Sequence, residues 1–85
     1  MRIAKTKEFV KRYTKLPKFI QKKVDKQIRY LTTDVFHPSL KAKKMVGVHF
    51  WEARVDKSYR FTFEKTGDTL TLRTVGPHDE GLGKK

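Results

Sequence analysis

Eighty-five residues of 10.0 kDa make one domain, residues 1–85, with one modest core, which excludes a second domain or a large internal cavity. Twenty-one Lys and Arg against nine Asp and Glu give a net charge of +12 and a pI near 10.2, an excess that points to a polyanionic partner. The absence of cysteine excludes a disulfide framework, a thiolate zinc site and a cysteine nucleophile, and with only three scattered His no metal or other cofactor is expected. Six Phe, three Tyr and one Trp supply core material despite the charge. No apolar run approaches the roughly 20 residues of a membrane span, and the N-terminus carries no signal-peptide pattern, so a soluble, cytoplasmic protein without membrane contact is expected.

The charge is unevenly spread: residues 1–30 carry +9, residues 31–46 carry +2 and residues 47–85 carry +1. Along the chain, a short strand is predicted at residues 2–4. Thr6 then caps a helix whose apolar positions Phe9, Val10, Tyr13 and Leu16 recur at helical spacing. Pro17 interrupts that pattern and suits the first turn of a second helix, in which Ile20, Val24, Ile28 and Leu31 form the apolar stripe. Residues 37–45 contain Pro38, Lys41, Lys43 and Lys44 with little periodicity and read as a basic loop.

From Phe50 the period changes to two. Trp51, Ala53 and Val55, then Tyr59, Phe61 and Phe63, then Leu70 and Leu72 alternate with polar residues, which predicts three strands in an antiparallel meander. Turns are expected at 56–58 and at 66–67 or the longer 65–68. With its aromatic face covered by the helical hairpin, the chain is predicted to be an α+β two-layer sandwich whose other sheet face is open.

Matching the apolar faces restricts the register, because a one-residue slip turns a strand inside out. A three-residue loop at 56–58 sets Arg54 opposite Arg60, and the second turn is expected to set Arg60 opposite Arg73, a row of three arginines. Like charges directly opposite cost about a few tenths to 1 kcal/mol per pair, so folding gives no reason for the row and an anion does. Exposed arginines also serve simply to keep a sheet soluble, which is the competing reading. Glu52 lies on the neighbouring row with Thr62 and Thr71. His78 follows the third strand, after Gly76-Pro77, and is the candidate general acid, while His37 and His49 are read as structural.

The segment from Trp51 to Phe63, which ends in Tyr59-Arg60-Phe61, and the close Gly76-Pro77-His78-Asp79 after it resemble the RelE/ParE superfamily of bacterial toxins. The resemblance covers most of the chain. It implies a small antiparallel sheet with an N-terminal strand and a helical hairpin on one face. It also implies metal-independent cleavage of ribosome-bound mRNA and a cognate acidic antitoxin bound in a hetero-oligomer. Carried over by position, Arg60 resembles the arginine that contacts the scissile phosphate, Arg54 and Glu52 fall where relatives place basic or histidine side chains on the preceding strand, and His78 resembles the Arg or His that acts on the leaving group. Arg73 has no such counterpart and is a candidate from register alone. Two departures stand out: the C-terminal tyrosine of some members is missing, and Glu52 replaces a lysine.

Three readings of function therefore compete. The first is an endoribonuclease in which Arg60, Arg54 and Arg73 stabilise charge on the phosphate, His78 protonates the leaving 5′-oxygen and Glu52 is the candidate base. Lys41, Lys43, Lys44 and Lys57 would hold RNA without taking part in the chemistry. The second is a non-catalytic, ParE-like gyrase inhibitor. The third is a plain nucleic-acid-binding module, disfavoured because few exposed aromatics are expected once the core is filled.

Overall fold

The computed structural model describes residues 2–77. Five strands form one sheet: β1 (Arg2–Lys5), β2 (Lys43–Lys44), β3 (Trp51–Arg54), β4 (Tyr59–Thr66) and β5 (Thr69–Pro77), in the order β1-β5-β4-β3-β2. All neighbours are antiparallel except β1, which runs parallel to β5. Helices α1 (Lys7–Thr14) and α2 (Lys18–Thr33) supply the second layer, as the apolar stripes predict.

Local chemistry explains the helix boundaries. Thr6 is the N-cap of α1: its Oγ1 accepts a hydrogen bond from the Phe9 N–H at 3.0 Å and donates to the Arg73 carbonyl at 2.7 Å. One hydroxyl thus starts the helix and ties it to the last strand. Pro17 caps α2, where its fixed φ costs nothing and its missing N–H is not needed. Tyr13 donates to Asp25 at 2.7 Å and holds the two helices together. Phe9, Ile20, Val24 and Leu31 bury against Ala53, Val55, Phe61, Phe63, Leu70, Leu72 and Val75, whereas Val10, assigned to the stripe by spacing, is 46% exposed.

Gln27 lies in the middle of the α2 stripe and is 4% exposed. Its amide donates to the carbonyls of Arg54 at 2.8 Å and Ser39 at 3.2 Å. It therefore fastens the end of β3 and the short 3-10 turn at Pro38–Leu40 to the helix. Sequence reading passed over this polar bridge because a single Gln in an apolar stripe leaves no periodic signal.

The structure corrects the expected topology at three places. Residues 37–45 are not only a loop: they hold the 3-10 turn and β2, whose Lys43 and Lys44 pair with Glu52 and Trp51 at the sheet edge. A two-residue strand is too short for alternation to be visible. The second turn lies one residue later than the expected 66–67, with Gly67 and Asp68 between the paired Thr66 and Thr69, and Gly67 takes the left-handed φ of 59° that this turn requires.

The third correction concerns Arg73, which does not stand opposite Arg60. Phe63 pairs with Leu72 and Thr62 with Thr74, so Arg73 is the extra residue of a β-bulge, and Arg60 faces Gly76. Uninterrupted alternation after Leu72 would send Val75 to the open face. The bulge returns it to the core, where it is 2% exposed.

Replacing Gln27 with Ala strands two carbonyls inside the protein and is expected to cost about 1–3 kcal/mol. Urea denaturation with an unchanged m-value is the measurement, and a midpoint equal to that of the wild type would show that the bridge contributes nothing.

Candidate active site on the open sheet face

The register of β3 with β4 is the one parity requires: Trp51 pairs with Phe63, Glu52 with Thr62, Ala53 with Phe61 and Arg54 with Arg60. Arg54 and Arg60 consequently stand side by side on the face away from the helices, with Glu52 and Thr62 on the next row. Opposite Arg60 on β5, Gly76 presents no side chain, and one row further Thr74 shares a hydrogen bond of 2.8 Å with Thr62.

Two depressions meet over these residues. One of about 260 Å³ is lined by Lys41, Lys43, Glu52, Ala53, Arg54 and Arg60. The other, about 40 Å³, is lined by Arg12, Glu52, Arg60, Thr62 and Thr74 with the backbone turn at Val75, Gly76 and Pro77. Glu52 and Arg60 belong to both. Glu52 is 7% exposed, an unusual burial for a carboxylate, and lies among cations: Lys43 is its cross-strand partner and both arginines share its cleft.

Arg60 is held from behind. Its Nη1 donates to the carbonyls of Asp56 at 2.6 Å and Tyr59 at 3.0 Å, which leaves Nε and Nη2 without a protein partner among the described residues. The turn that carries these carbonyls is built by Asp56, whose Oδ1 accepts from the N–H of Ser58 at 2.8 Å and of Tyr59 at 2.9 Å. Lys23 of α2 reaches its Oδ2 at 3.1 Å. Burial works to raise the Asp56 pKa, but the hydrogen bonds from Ser58, Lys23 and Tyr59 outweigh it and hold the carboxyl below its ordinary 3.8.

The basic residues named from sequence separate in space. Lys41 and Lys43 line the cleft. Lys44, one residue on, pairs with Trp51, and its Nζ donates to the Val48 carbonyl at 3.3 Å, away from the arginines. Lys57 is exposed at the tip of the first hairpin. Arg73 lies further down the open face, its guanidinium carbon 3.7 Å from the centroid of Phe50. His78 falls outside the described residues. His37 stacks on Tyr30 at 3.9 Å, and its Nδ1 accepts from the Ser39 N–H, a structural role in the 3-10 turn.

Arg12 was missed. Its Nε donates to Glu8 at 2.5 Å on α1, and the residue also lines the smaller depression. Helical spacing gave it no distinction from the other cations of that face. Aromatic exposure was misjudged as well: Phe19 and Phe36 are 63% and 66% exposed, and Phe50 is partly exposed. Among the described residues no three His, Asp or Glu side chains cluster as metal ligands would. No helix among them is long and apolar enough to cross a membrane.

This sheet order and helical layer recur in solved structures. A YoeB/ParE toxin from Agrobacterium tumefaciens superposes with a TM-score of 0.78 over 92% of this chain and 99% of its own, at 19% identity. The chain has the fold of the RelE/ParE toxins. The RelB-RelE antitoxin-toxin complex from Methanococcus jannaschii matches at 26% identity and a TM-score of 0.73 over 87% of this chain and 88% of that one. An archaeal RelE-RelB complex from Pyrococcus horikoshii gives 0.77 at 18% identity over 93% and 96%. These RelE/ParE neighbours are toxins of toxin–antitoxin pairs, and the two archaeal ones are complexes with RelB. Neither a family model nor a curated protein matches the chain in sequence.

The lowered pKa of Asp56 gives stability a defined pH dependence. This carboxyl's contribution is complete above its unfolded value of 3.8 and is lost as the pH falls through the lower folded value. Asp56→Asn should remove that acid limb from a pH series of thermal melts; an unchanged limb would assign it elsewhere. Arg54→Ala relieves a like-charge pair and should be neutral or stabilising by up to about 1 kcal/mol. Arg60→Ala also loses two hydrogen bonds to the turn and should be the less stable of the two.

Proposed function

We propose that this chain is the toxin of a toxin–antitoxin pair and acts as an endoribonuclease on mRNA bound to the ribosome. The observation that carries the reading is the placing of Arg54 and Arg60 side by side with the buried Glu52 on the next row, all three in one cleft. Two adjacent guanidinium groups are costly to the fold and well matched to a phosphodiester.

In the proposed reaction the RNA phosphate lies across Arg54 and the free nitrogens of Arg60. Glu52 accepts the proton of the adjacent 2′-hydroxyl, whose oxygen attacks phosphorus. The bond to the 5′-oxygen breaks, and that oxygen takes a proton from His78, leaving a 2′,3′-cyclic phosphate and a free 5′-hydroxyl. The arginines stabilise the charge that builds on the non-bridging oxygens. Lys41 and Lys43 hold the flanking backbone phosphates, whereas Lys44 and Lys57, which stand apart from the cleft, are left to contact more distant ones. Arg12 adds a further positive group at the edge of the smaller depression.

The partner that restrains such a protein is an acidic antitoxin. Lys11, Lys15 and the Arg12–Glu8 ion pair rim a further cleft of about 450 Å³, floored by Leu16, Pro17, Tyr59, Val75 and Pro77, on the helical side. An acidic segment with an apolar anchor suits it, and copurification with the product of an adjacent reading frame is the test. Full retention of that product by a Lys11→Glu, Lys15→Glu variant would place the antitoxin elsewhere.

Single-turnover cleavage of ribosome-bound mRNA tests the chemistry. Arg54→Ala and Arg60→Ala should each lower the rate by about two to three orders of magnitude. Glu52→Gln and His78→Ala should each lower it by about two to four. The name of the Agrobacterium neighbour joins YoeB with ParE. A folded wild-type chain that leaves mRNA intact and inhibits gyrase would replace this reading with the non-catalytic one.

A further inference from the structure

The open face carries a second feature, at the other end of the sheet from the arginine pair. Phe50 precedes β3 and, two positions before Glu52, shares the parity of Glu52 and Arg54. Arg73, at the β-bulge, sends its side chain across β4, so that its guanidinium carbon lies 3.7 Å from the centre of the Phe50 ring. Both residues are partly exposed.

Nothing in the fold requires this arginine. The bulge is explained by the burial of Val75, and the Arg73 carbonyl, not its side chain, receives the Thr6 hydroxyl. Among the described residues the guanidinium has no hydrogen-bond or ion-pair partner, and it lies against the ring. A guanidinium laid on an aromatic ring is a flat, cationic surface with one side against the ring and the other turned outward. Unpaired nucleobases stack on such planes, and their phosphates are drawn by the same charge.

From Phe50 to Arg54 is four residues along an extended strand, about 13 Å at roughly 3.3 Å per residue. A single strand whose phosphate sits on Arg54 and Arg60 must continue in one direction or the other. Toward Phe50 it passes over the hydroxyls of Thr62 and Thr74 and reaches the stacked pair. We infer that Arg73 and Phe50 form a stacking platform for the base of a nucleotide neighbouring the one cleaved. The inference rests on the ribonuclease reading for its substrate. The platform binds a base, takes no part in bond breaking, and sets how the strand lies across the cleft.

The test uses the full chain and 2′-O-methyl RNA pentanucleotides, which cannot undergo 2′-hydroxyl attack, so binding is read without cleavage. In one series 2-aminopurine is moved along the oligonucleotide; in a second, single abasic sites are. The wild type should quench 2-aminopurine at one position, and removing the base there should weaken binding by about fivefold to a hundredfold. Arg73→Lys, which keeps the charge and loses the plane, should bind intact RNA as weakly as the wild type binds that abasic RNA, with no further loss on the abasic strand. Its salt dependence should match the wild type. Phe50→Leu should behave alike and serves if the Arg73 variant melts early. An abasic penalty in both variants equal to the wild type's, or a wild-type chain that quenches no position, overturns the platform. Cleavage of ribosome-bound mRNA, measured separately, distinguishes the two proposals. Normal cleavage without a position-specific quench sinks the platform alone, and a quench lost in Arg73→Lys without any cleavage sinks the nuclease alone.

Discussion

The β-bulge at Arg73 is the constraint on which the open face depends. β5 has to bury Leu70, Leu72 and Val75 on one side, and three residues at that spacing cannot share a face of a regular strand. One residue must drop out of the ladder. When Arg73 does so, Thr74 comes to face Thr62 and Gly76 comes to face Arg60, and the cleft acquires an end with no side chain in the way. A regular strand continuing from the pairing of Phe63 with Leu72 would have put Val75 opposite Arg60 and Arg73 opposite Thr62.

The same bulge is secured from the other layer. The Thr6 hydroxyl caps α1 and grips the Arg73 carbonyl, while the Thr6 N–H reaches the Leu72 carbonyl at 3.0 Å. Gln27 does the corresponding service for β3 through the Arg54 carbonyl. Arg54 therefore stands on a strand that a helix residue holds by its backbone, and the strand beside that of Arg60 is tied to the start of α1. Lys23 adds a third link by fixing Asp56, and with it the turn from which Arg60 is oriented. Positioning by backbone and turn leaves the guanidinium groups of Arg54 and Arg60 without an acidic partner among the described residues, so their charge is available to a ligand.

Much of this was legible in the sequence. The Thr6 cap, the break at Pro17, the apolar stripes and the pairing of β3 with β4 follow from spacing and parity, and with them the juxtaposition of Arg54 and Arg60. The register of β4 with β5 differs from the expected one because the turn falls one residue later than 66–67 and because alternation was followed only through Leu72. Val75, at an interval of three, was the visible sign of a bulge. β2 escaped because two residues show no period, and Gln27 because its function lies in what its amide meets across space. Arg12 reaches the cleft only through the way α1 lies on β5, which no local pattern encodes.

The parallel pairing of β1 with β5 has a consequence for how the protein comes into being. The bond between Thr6 and Arg73 joins residues 67 apart, and the first strand has no other neighbour in the sheet. During synthesis the N-terminal strand and the helix that follows it must wait for their sheet partner until the ribosome has delivered residues 69–73 of β5. Closing so long a loop is entropically expensive and comes late in folding. A chain released early, short of Val75, would lack the core residue that imposes the bulge and the strand on which α1 rests. The face that carries Arg54 and Arg60 is therefore complete only once β5 is in place.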